Sequence, residues 1–198
     1  MAMWKRLIPF ALLALLPVFG SCLLDAEKVK CKDCGDTTSA YLPLTERDNL
    51  LQNLEQAYNQ RNFAEYKKLF DNSGDFLFFF STTDVNQGLV KDSSWDIGQD
   101  LGTTEAIFDR NPPPGAPLAE NIDLELTFTA GDDEWQPVVP STHLNETWYE
   151  KPVEYRLTVT VGGTTYTQNK NVVALFTVRF TQVAGDSVWQ IVTWRDDI

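Results

Sequence analysis

Three cysteines, one histidine and a set of scattered carboxylates are the groups of this chain best equipped for chemistry. Cys31-Lys32-Asp33-Cys34 has the C-x-x-C spacing that serves as half a zinc site, as a redox centre or as a local disulfide. Zinc needs two further ligands, and with Cys22 taken by the lipid argued below only His143 and carboxylates remain. A redox centre wants its first cysteine at the start of a helix, whereas Gly35-Asp36-Thr37-Thr38-Ser39 is a poor helix. The expectation is a small structural disulfide between Cys31 and Cys34, with no metal and no cofactor. His143 lies in Pro140-Ser141-Thr142-His143-Leu144-Asn145, a loop-forming stretch, and is expected to be exposed and without a catalytic role. Asp75, Asp100, Glu105 and Asp196 are candidate pocket carboxylates by position. No motif fixes an acid–base pair among them, so no catalytic residue is assigned.

The charge balance removes whole classes of partner. The 198 residues carry 16 Lys+Arg against 28 Asp+Glu, a formal charge of -12, with no basic cluster beyond the first few residues. Nucleic acid and anionic lipid are therefore not expected against the folded part. With 43% hydrophobic and 22% charged residues the chain falls in the range of a globular protein, and its length suits one domain.

The first residues read as an export signal. Lys5 and Arg6 precede an apolar run from Leu7 to Phe19 that is too short for the roughly 20 residues a membrane span needs. Phe19-Gly20-Ser21-Cys22 resembles the lipobox of bacterial lipoproteins, with Phe19 where that pattern usually has an aliphatic residue. The resemblance implies that Cys22 takes a diacylglyceryl group and becomes the mature N-terminus after loss of residues 1–21. The acyl chains would then anchor the protein without help from its surface. Cleavage there leaves 14 basic against 28 acidic residues, a charge of -14. Residues 22–44 lack a sustained period and read as a tether, and the domain is expected over 45–198.

The elements that must position any site follow from periodicity. Thr45-x-x-Asp48 predicts a helix start, and Leu51, Leu54 and Tyr58 continue it to Gln60. Asn62-x-x-Glu65 caps a second helix whose stripe is Phe63, Tyr66, Leu69 and Phe70. Asp75 to Ser81 is apolar on both parities and predicts a strand covered on both faces or a short inner strand, followed by a polar loop to Ser94. Trp95 is placed at the opening of a third helix carrying Ile97, Leu101, Thr104 and Phe108 on one face. Gly98 and Gly102 weaken that helix, which implies either a close approach of its backbone or mere tolerance. Pro112, Pro113, Pro114 and Pro117 mark a stiff crossover. Beyond it Ile122 to Ala130, Tyr155 to Val161 and Val172 to Phe180 alternate apolar with polar, Gly162-Gly163 predicts a hairpin, and Val188 to Arg195 closes the sheet. Asp123 and Glu125 are expected to pair with Arg156 or Arg179 on a threonine-rich wet face. Helices followed by an antiparallel sheet with one apolar face define an α+β fold.

Three segments then share one likeness: Leu54-x-x-x-Tyr58-x-x-Arg61-Asn62-Phe63-x-x-Tyr66-x-x-Leu69-Phe70, Trp95, and Trp189-Gln190-Ile191-Val192-Thr193-Trp194-Arg195-Asp196. Together they resemble the nuclear transport factor 2-like superfamily, which includes ketosteroid isomerases and SnoaL-type cyclases. That resemblance implies a cone in which a curved antiparallel sheet wraps N-terminal helices around a pocket, with Tyr58, Tyr66, Phe78, Trp95 and Trp194 as candidate lining. Two functions follow as expectations. One is a lipid-anchored bacterial envelope protein, periplasmic or at the cell surface, whose noncatalytic domain binds a small apolar or peptide ligand or an envelope partner. The other is a metal-independent isomerase, dehydratase or hydrolase working by general acid–base chemistry. A polar, charged outer face suits a monomer or weak homodimer rather than an obligate one. Changing Cys22→Ala should abolish lipid labelling and stop cleavage at this position. A labelled chain in that variant, or an unlabelled mature chain beginning elsewhere, would contradict the assignment.

Overall fold

The computed structural model describes residues 40–168 and 172–196, so Cys22, Cys31, Cys34 and the leader lie outside the described residues. Helix α1 (Arg47–Gln60) buries Leu50, Leu51, Leu54, Ala57 and Tyr58 along one stripe, as its spacing predicts. Its start differs from the expectation. Glu46 is the N-cap residue and makes no side-chain cap bond, and Asp48 turns away from the helix toward the sheet. At the other end Arg61 adopts a left-handed conformation (φ 53°), and the Asn62 side chain then accepts from the Glu65 N–H at 3.2 Å to start α2 (Phe63–Lys68).

The segment Asp75 to Ser81 yields a three-residue strand, β1 (Leu77–Phe79), held between two other strands. The stretch expected as a loop holds a short helix, α3 (Thr82–Gln87), because the Ser81 hydroxyl accepts from the Asp84 N–H at 3.0 Å. Trp95 does not open the next helix. It lies in strand β2 (Ser94–Asp96), and Asp96 caps α4 (Ile97–Phe108) through a reciprocal pair with Gln99 at 2.9 and 3.1 Å. The two glycines of α4 are tolerated rather than required by a close approach: a Cβ on Gly98 would meet only Asp96 Oδ1 at 3.3 Å, and one on Gly102 nothing within 4 Å.

After the crossover come β3 (Ala119–Thr127), a 3-10 turn at Asp132–Glu134, β4 (Gln136–Val138), β5 (Trp148–Val161), β6 (Thr164–Thr167), β7 (Val172–Val183) and β8 (Asp186–Arg195). Strand β5 begins seven residues before its predicted start at Tyr155. Gly162 and Gly163, at φ 57° and 73°, form the hairpin between β5 and β6 that their dipeptide predicts. The strand order is β2-β1-β8-β7-β5-β3, with β4 and β6 also paired to β5; every pairing is antiparallel except β1 with β8. The α+β class, with helices on a curved and unclosed sheet, is as expected.

Polar side chains of α1 seal the free edge of β3. The Asn59 amide accepts from the Leu124 N–H at 2.7 Å and donates to the Leu124 carbonyl at 2.9 Å, while Glu55 accepts from the Leu126 N–H at 3.0 Å. A strand edge is thereby satisfied by a helix instead of a neighbouring chain. In β8, Thr193 faces Thr177 and Ile191 faces Val178, so Val192 is an extra residue; this bulge keeps both Ile191 and Trp194 on the inner face.

The outer face is less wet than its alternation predicts. Arg156 does pair with Glu125 at 2.5 Å, as expected. Arg179, however, is 8% exposed and binds Asp71 at 2.8 Å, Asp75 at 2.7 Å and the Ser73 hydroxyl at 2.6 Å, because the turn after α2 folds over it. Phe180, on the parity of the core residues Phe176 and Val178, is 53% exposed near the end of β7. Replacing Arg179→Met leaves the buried Asp71 carboxylate uncompensated and should cost about 3–5 kcal/mol in urea unfolding. Arg156→Met, which removes an exposed pair, should cost less than about 1 kcal/mol. Equal effects would show that the covered ion pair is not what holds this turn to the sheet.

Candidate functional site

The strongest acid–base candidate sits inside the core. The cap at Asp96 places Asp100 in the first turn of α4, and the Tyr66 hydroxyl of α2 donates to Asp100 Oδ2 at 2.8 Å. Tyr58 and Phe108 close around this bond, with ring centroids 5.4 and 5.7 Å from that of Tyr66. Burial drives the Asp100 carboxyl up to about 6, against a smaller opposing effect of the Tyr66 hydrogen bond. Burial, and then the neighbouring Tyr58 and Asp100, push the Tyr66 hydroxyl well above its usual range, and Tyr58 is raised for the same leading reason. An acid titrating near 6 is matched to proton transfer at neutral pH. Here it is covered: Asp100 is 5% exposed and Tyr66 0%.

A second site opens between the start of α1 and the ends of β5, β7 and β8, as a cleft of about 470 Å³. Its walls include Arg47, Asp132, Thr147, Tyr149, Phe180 and Trp189. The Arg47 guanidinium lies 4.2 Å from the Tyr149 ring centroid and 5.3 Å from that of Trp189. Its Nε and Nη2 reach Asp132 Oδ1 at 3.2 and 3.0 Å. Nη1 is buried and has no hydrogen-bond partner among the described residues.

Arg47 owes its place to its neighbour. Asp48 accepts from Lys151 Nζ at 2.7 Å, from the Trp135 indole at 2.8 Å and from the Gly131 N–H at 2.6 Å. Burial would raise this carboxyl, but those three donors outweigh it and hold Asp48 below the usual carboxylate range. Lys151 is 2% exposed, with its ammonium 4.9 Å from the Phe128 ring centroid and 5.2 Å from that of Trp135.

The residues singled out from the sequence fall into separate groups. Tyr58 and Tyr66 surround Asp100. Phe78, Trp95 and Trp194 form another cluster, with Phe78 5.4 Å from Trp194 and 6.2 Å from Trp95. Glu105 is exposed on α4. Asp196 is buried and accepts from the Tyr155 hydroxyl and, at 3.2 Å, from the Gln168 amide. Asp75 serves Arg179 and His143, so the four carboxylates occupy four different places. His143 is in a loop as expected but is half-buried rather than exposed: Nε2 is 3.2 Å from Asp75, Nδ1 3.3 Å from Glu146, and its ring lies 5.4 Å from Trp148. Arg47, Asp48 and Lys151 are not among the residues that the sequence singles out. Carrying the β5 alternation back from Tyr155 through Val153 puts Lys151 on the apolar face, where a lysine needs a carboxylate, and that was the available signal. Among the described residues no group of three or more His, Cys, Asp or Glu is arranged to hold a metal, and no helix is long and apolar enough to cross a membrane.

Fold and site together define an α+β domain with helices on an open sheet, a sealed acidic core and an aromatic cleft. No protein-family model matches the sequence, and no curated protein matches it. Solved structures similar to it include a nuclear transport factor 2-like family protein from Streptomyces avermitilis, at 13% identity over 77% of this chain and 93% of that one, with a TM-score of 0.48. Another is a nuclear transport factor 2-like superfamily protein from Salmonella enterica serovar Typhimurium, at 12% identity over 74% and 84% of the two chains and a TM-score of 0.43. A type 2 hexachlorocyclohexane dehydrochlorinase matches at 7% identity over 74% and 78%, also with a TM-score of 0.43. The likeness is one of fold.

Because the folded-state value of Asp100 lies above the ordinary 3.8, its contribution to stability is complete below about pH 4 and is lost as pH rises through 6. Relative to Asp100→Asn, the native protein should lose about 2 kcal/mol between pH 4 and pH 7 in urea unfolding, and little thereafter. Parallel stability curves would place Asp100 in contact with solvent.

Proposed function

We propose that this chain is a lipid-anchored protein of the bacterial envelope whose domain binds a ligand or an envelope partner without transforming it. The observation that carries the noncatalytic reading is the covering of the Asp100–Tyr66 pair, at 5% and 0% exposure: the group best tuned for proton transfer is bonded and enclosed by Tyr58 and Phe108. The cleft beside Arg47, by contrast, presents aromatic walls to solvent, which favours binding. The lipid at Cys22 and the monomeric or weakly dimeric state belong to the same reading. They rest on the sequence pattern and on the net charge of -12.

One observation favours the alternative, a metal-independent isomerase, dehydratase or hydrolase: the Asp100 carboxyl titrates near 6, where a general acid would be poised. Native mass spectrometry of the full chain isolated from its own envelope separates the two. A stable adduct, released unchanged on unfolding, is the expected result. Recovery of a chemically altered form of an added ligand, lost in Asp100→Asn, would establish the enzyme instead.

A further inference from the structure

We propose that Arg61 and Arg110 form a binding site for a small soluble phosphate monoester at the C-terminal end of α1. The site goes beyond the binding function proposed above: α1 runs from Arg47 to Gln60, so this end lies about 20 Å along the helix from the cleft beside Arg47. A separate cleft of about 390 Å³ opens here, with Asn59, Arg61, Arg110, Glu120 and Asn121 among its walls. Arg110 Nη2 donates to the Gln60 carbonyl at 3.2 Å, which sets its guanidinium against the peptide bond that leads into Arg61. Arg61 itself ends α1 in a left-handed conformation (φ 53°, ψ 43°), with its N–H closing on the carbonyls of Ala57 and Tyr58. Glycine or asparagine suits such a helix end, so nothing in the turn calls for an arginine.

Both guanidiniums are open. The ion pairs among the described residues engage Arg47, Lys68, His143, Lys151, Arg156 and Arg179, but neither Arg61 nor Arg110. In a chain with 28 acidic against 16 basic residues, two neighbouring arginines without a resident carboxylate are the exception. Arg61 is half-buried and Arg110 exposed, and no nitrogen of either is among the buried atoms that lack a partner, so their donors are within reach of a ligand. Burial, and then the charge of Arg110, hold the Arg61 guanidinium below its ordinary range. An anion between the two relieves that repulsion and accepts charge-assisted hydrogen bonds from both.

The charge count selects the class of anion. This cleft carries two cations and one carboxylate, and Glu120 already accepts from the Gly163 N–H at 3.0 Å. Glu105 and Asp109 line a different depression on the other side of Arg61, where Asp109 accepts from the Asn111 N–H at 2.8 Å. A phosphate monoester brings close to two charges and three acceptor oxygens, enough for both arginines, whereas a carboxylate or a phosphate diester brings one charge. The chain's charge of -12 repels extended polyanions and anionic membranes, which leaves a small soluble ligand.

The test is a proton–nitrogen NMR titration of the full chain at pH 8 and low salt with methyl phosphate, dimethyl phosphate and acetate, following the side-chain Nε–H signals of Arg61 and Arg110. Methyl phosphate should bind with a Kd below about 5 mM and the other two at least about tenfold more weakly. Arg61→Gly removes the guanidinium while suiting the left-handed backbone, so it should weaken methyl phosphate at least about tenfold without lowering the melting temperature. Arg110→Gln should weaken it as much, and Arg156→Met, at an exposed pair elsewhere, should leave it unchanged. No binding of methyl phosphate up to about 50 mM, equal binding of acetate, or the same loss in Arg156→Met as in Arg61→Gly would overturn the proposal. Phosphatidylcholine vesicles with and without phosphatidic acid should behave alike. Capture that depends on phosphatidic acid and is lost in Arg61→Gly would overturn the assignment to a soluble ligand.

Discussion

The Asp48 carboxylate is the junction on which the rest of the molecule depends. It takes three donors from three separate segments: Lys151 from β5, Trp135 after the 3-10 turn, and the backbone of Gly131. Burying the Lys151 ammonium alone would cost several kcal/mol, so the lysine can sit on the apolar face of the sheet only with Asp48 opposite it. The consequence is geometric. With Asp48 fixed in the first turn of α1, Arg47 is fixed one residue earlier, over Tyr149 and beside Asp132, and the Leu50–Tyr58 stripe is fixed against the sheet.

The same economy recurs across the fold. A chain with a charge of -12 has few cations, and the side chains of three of them, Lys151, Arg179 and Arg47, are only 2%, 10% and 12% exposed, each against an aspartate. Each ties two distant segments: Lys151 joins β5 to α1, Arg179 joins β7 to the turn after α2, and Arg47 joins α1 to the 3-10 turn. The two covered pairs, Lys151–Asp48 and Arg179–Asp71, specify an arrangement more than they add net stability, because desolvation offsets much of their attraction. Net stability comes from the aromatic and aliphatic core around Leu54, Tyr66, Phe70 and Phe176, all fully buried.

How far the sequence could be read follows from the range of each interaction. The α1 stripe, the Asn62 cap, the Gly162-Gly163 hairpin and the alternation of Ile122, Leu124 and Leu126 are set by near neighbours and appear where expected, whereas α2 ends at Lys68, so Leu69 and Phe70 of its expected stripe lie beyond the helix and Phe70 bridges to Ile191. Trp95 falls in β2 rather than in the helix because Asp96, not the tryptophan, carries the capping pair with Gln99. Arg179 has the parity of the wet face yet is covered, because alternation reports which face a side chain takes, not whether a distant turn will cover that face; Asp71 lies 108 positions away. The cleft was invisible for the same reason. Arg47, Tyr149, Phe180 and Trp189 belong to four separate elements, and no local pattern joins them, whereas Tyr58 and Tyr66 lie close in sequence and share one local pattern.

The core and the cleft thus divide two properties often found in one pocket: the tuned acid is enclosed, and the accessible aromatic surface lies in the cleft beside the Arg47–Asp132 pair. Indole resonances distinguish these places directly, since Trp189 walls the cleft while Trp194, 4% exposed, packs against Phe176 in the core. The decisive measurement is a proton–nitrogen NMR titration of the full chain with the neutral aromatic probe 2-naphthalenemethanol. Progressive movement of the Trp189 indole signal with Trp194 unmoved is the result predicted. Movement of Trp194, with Trp189 still, would mean that ligands enter the core beside the helices and that the cleft at Arg47 is not the binding site.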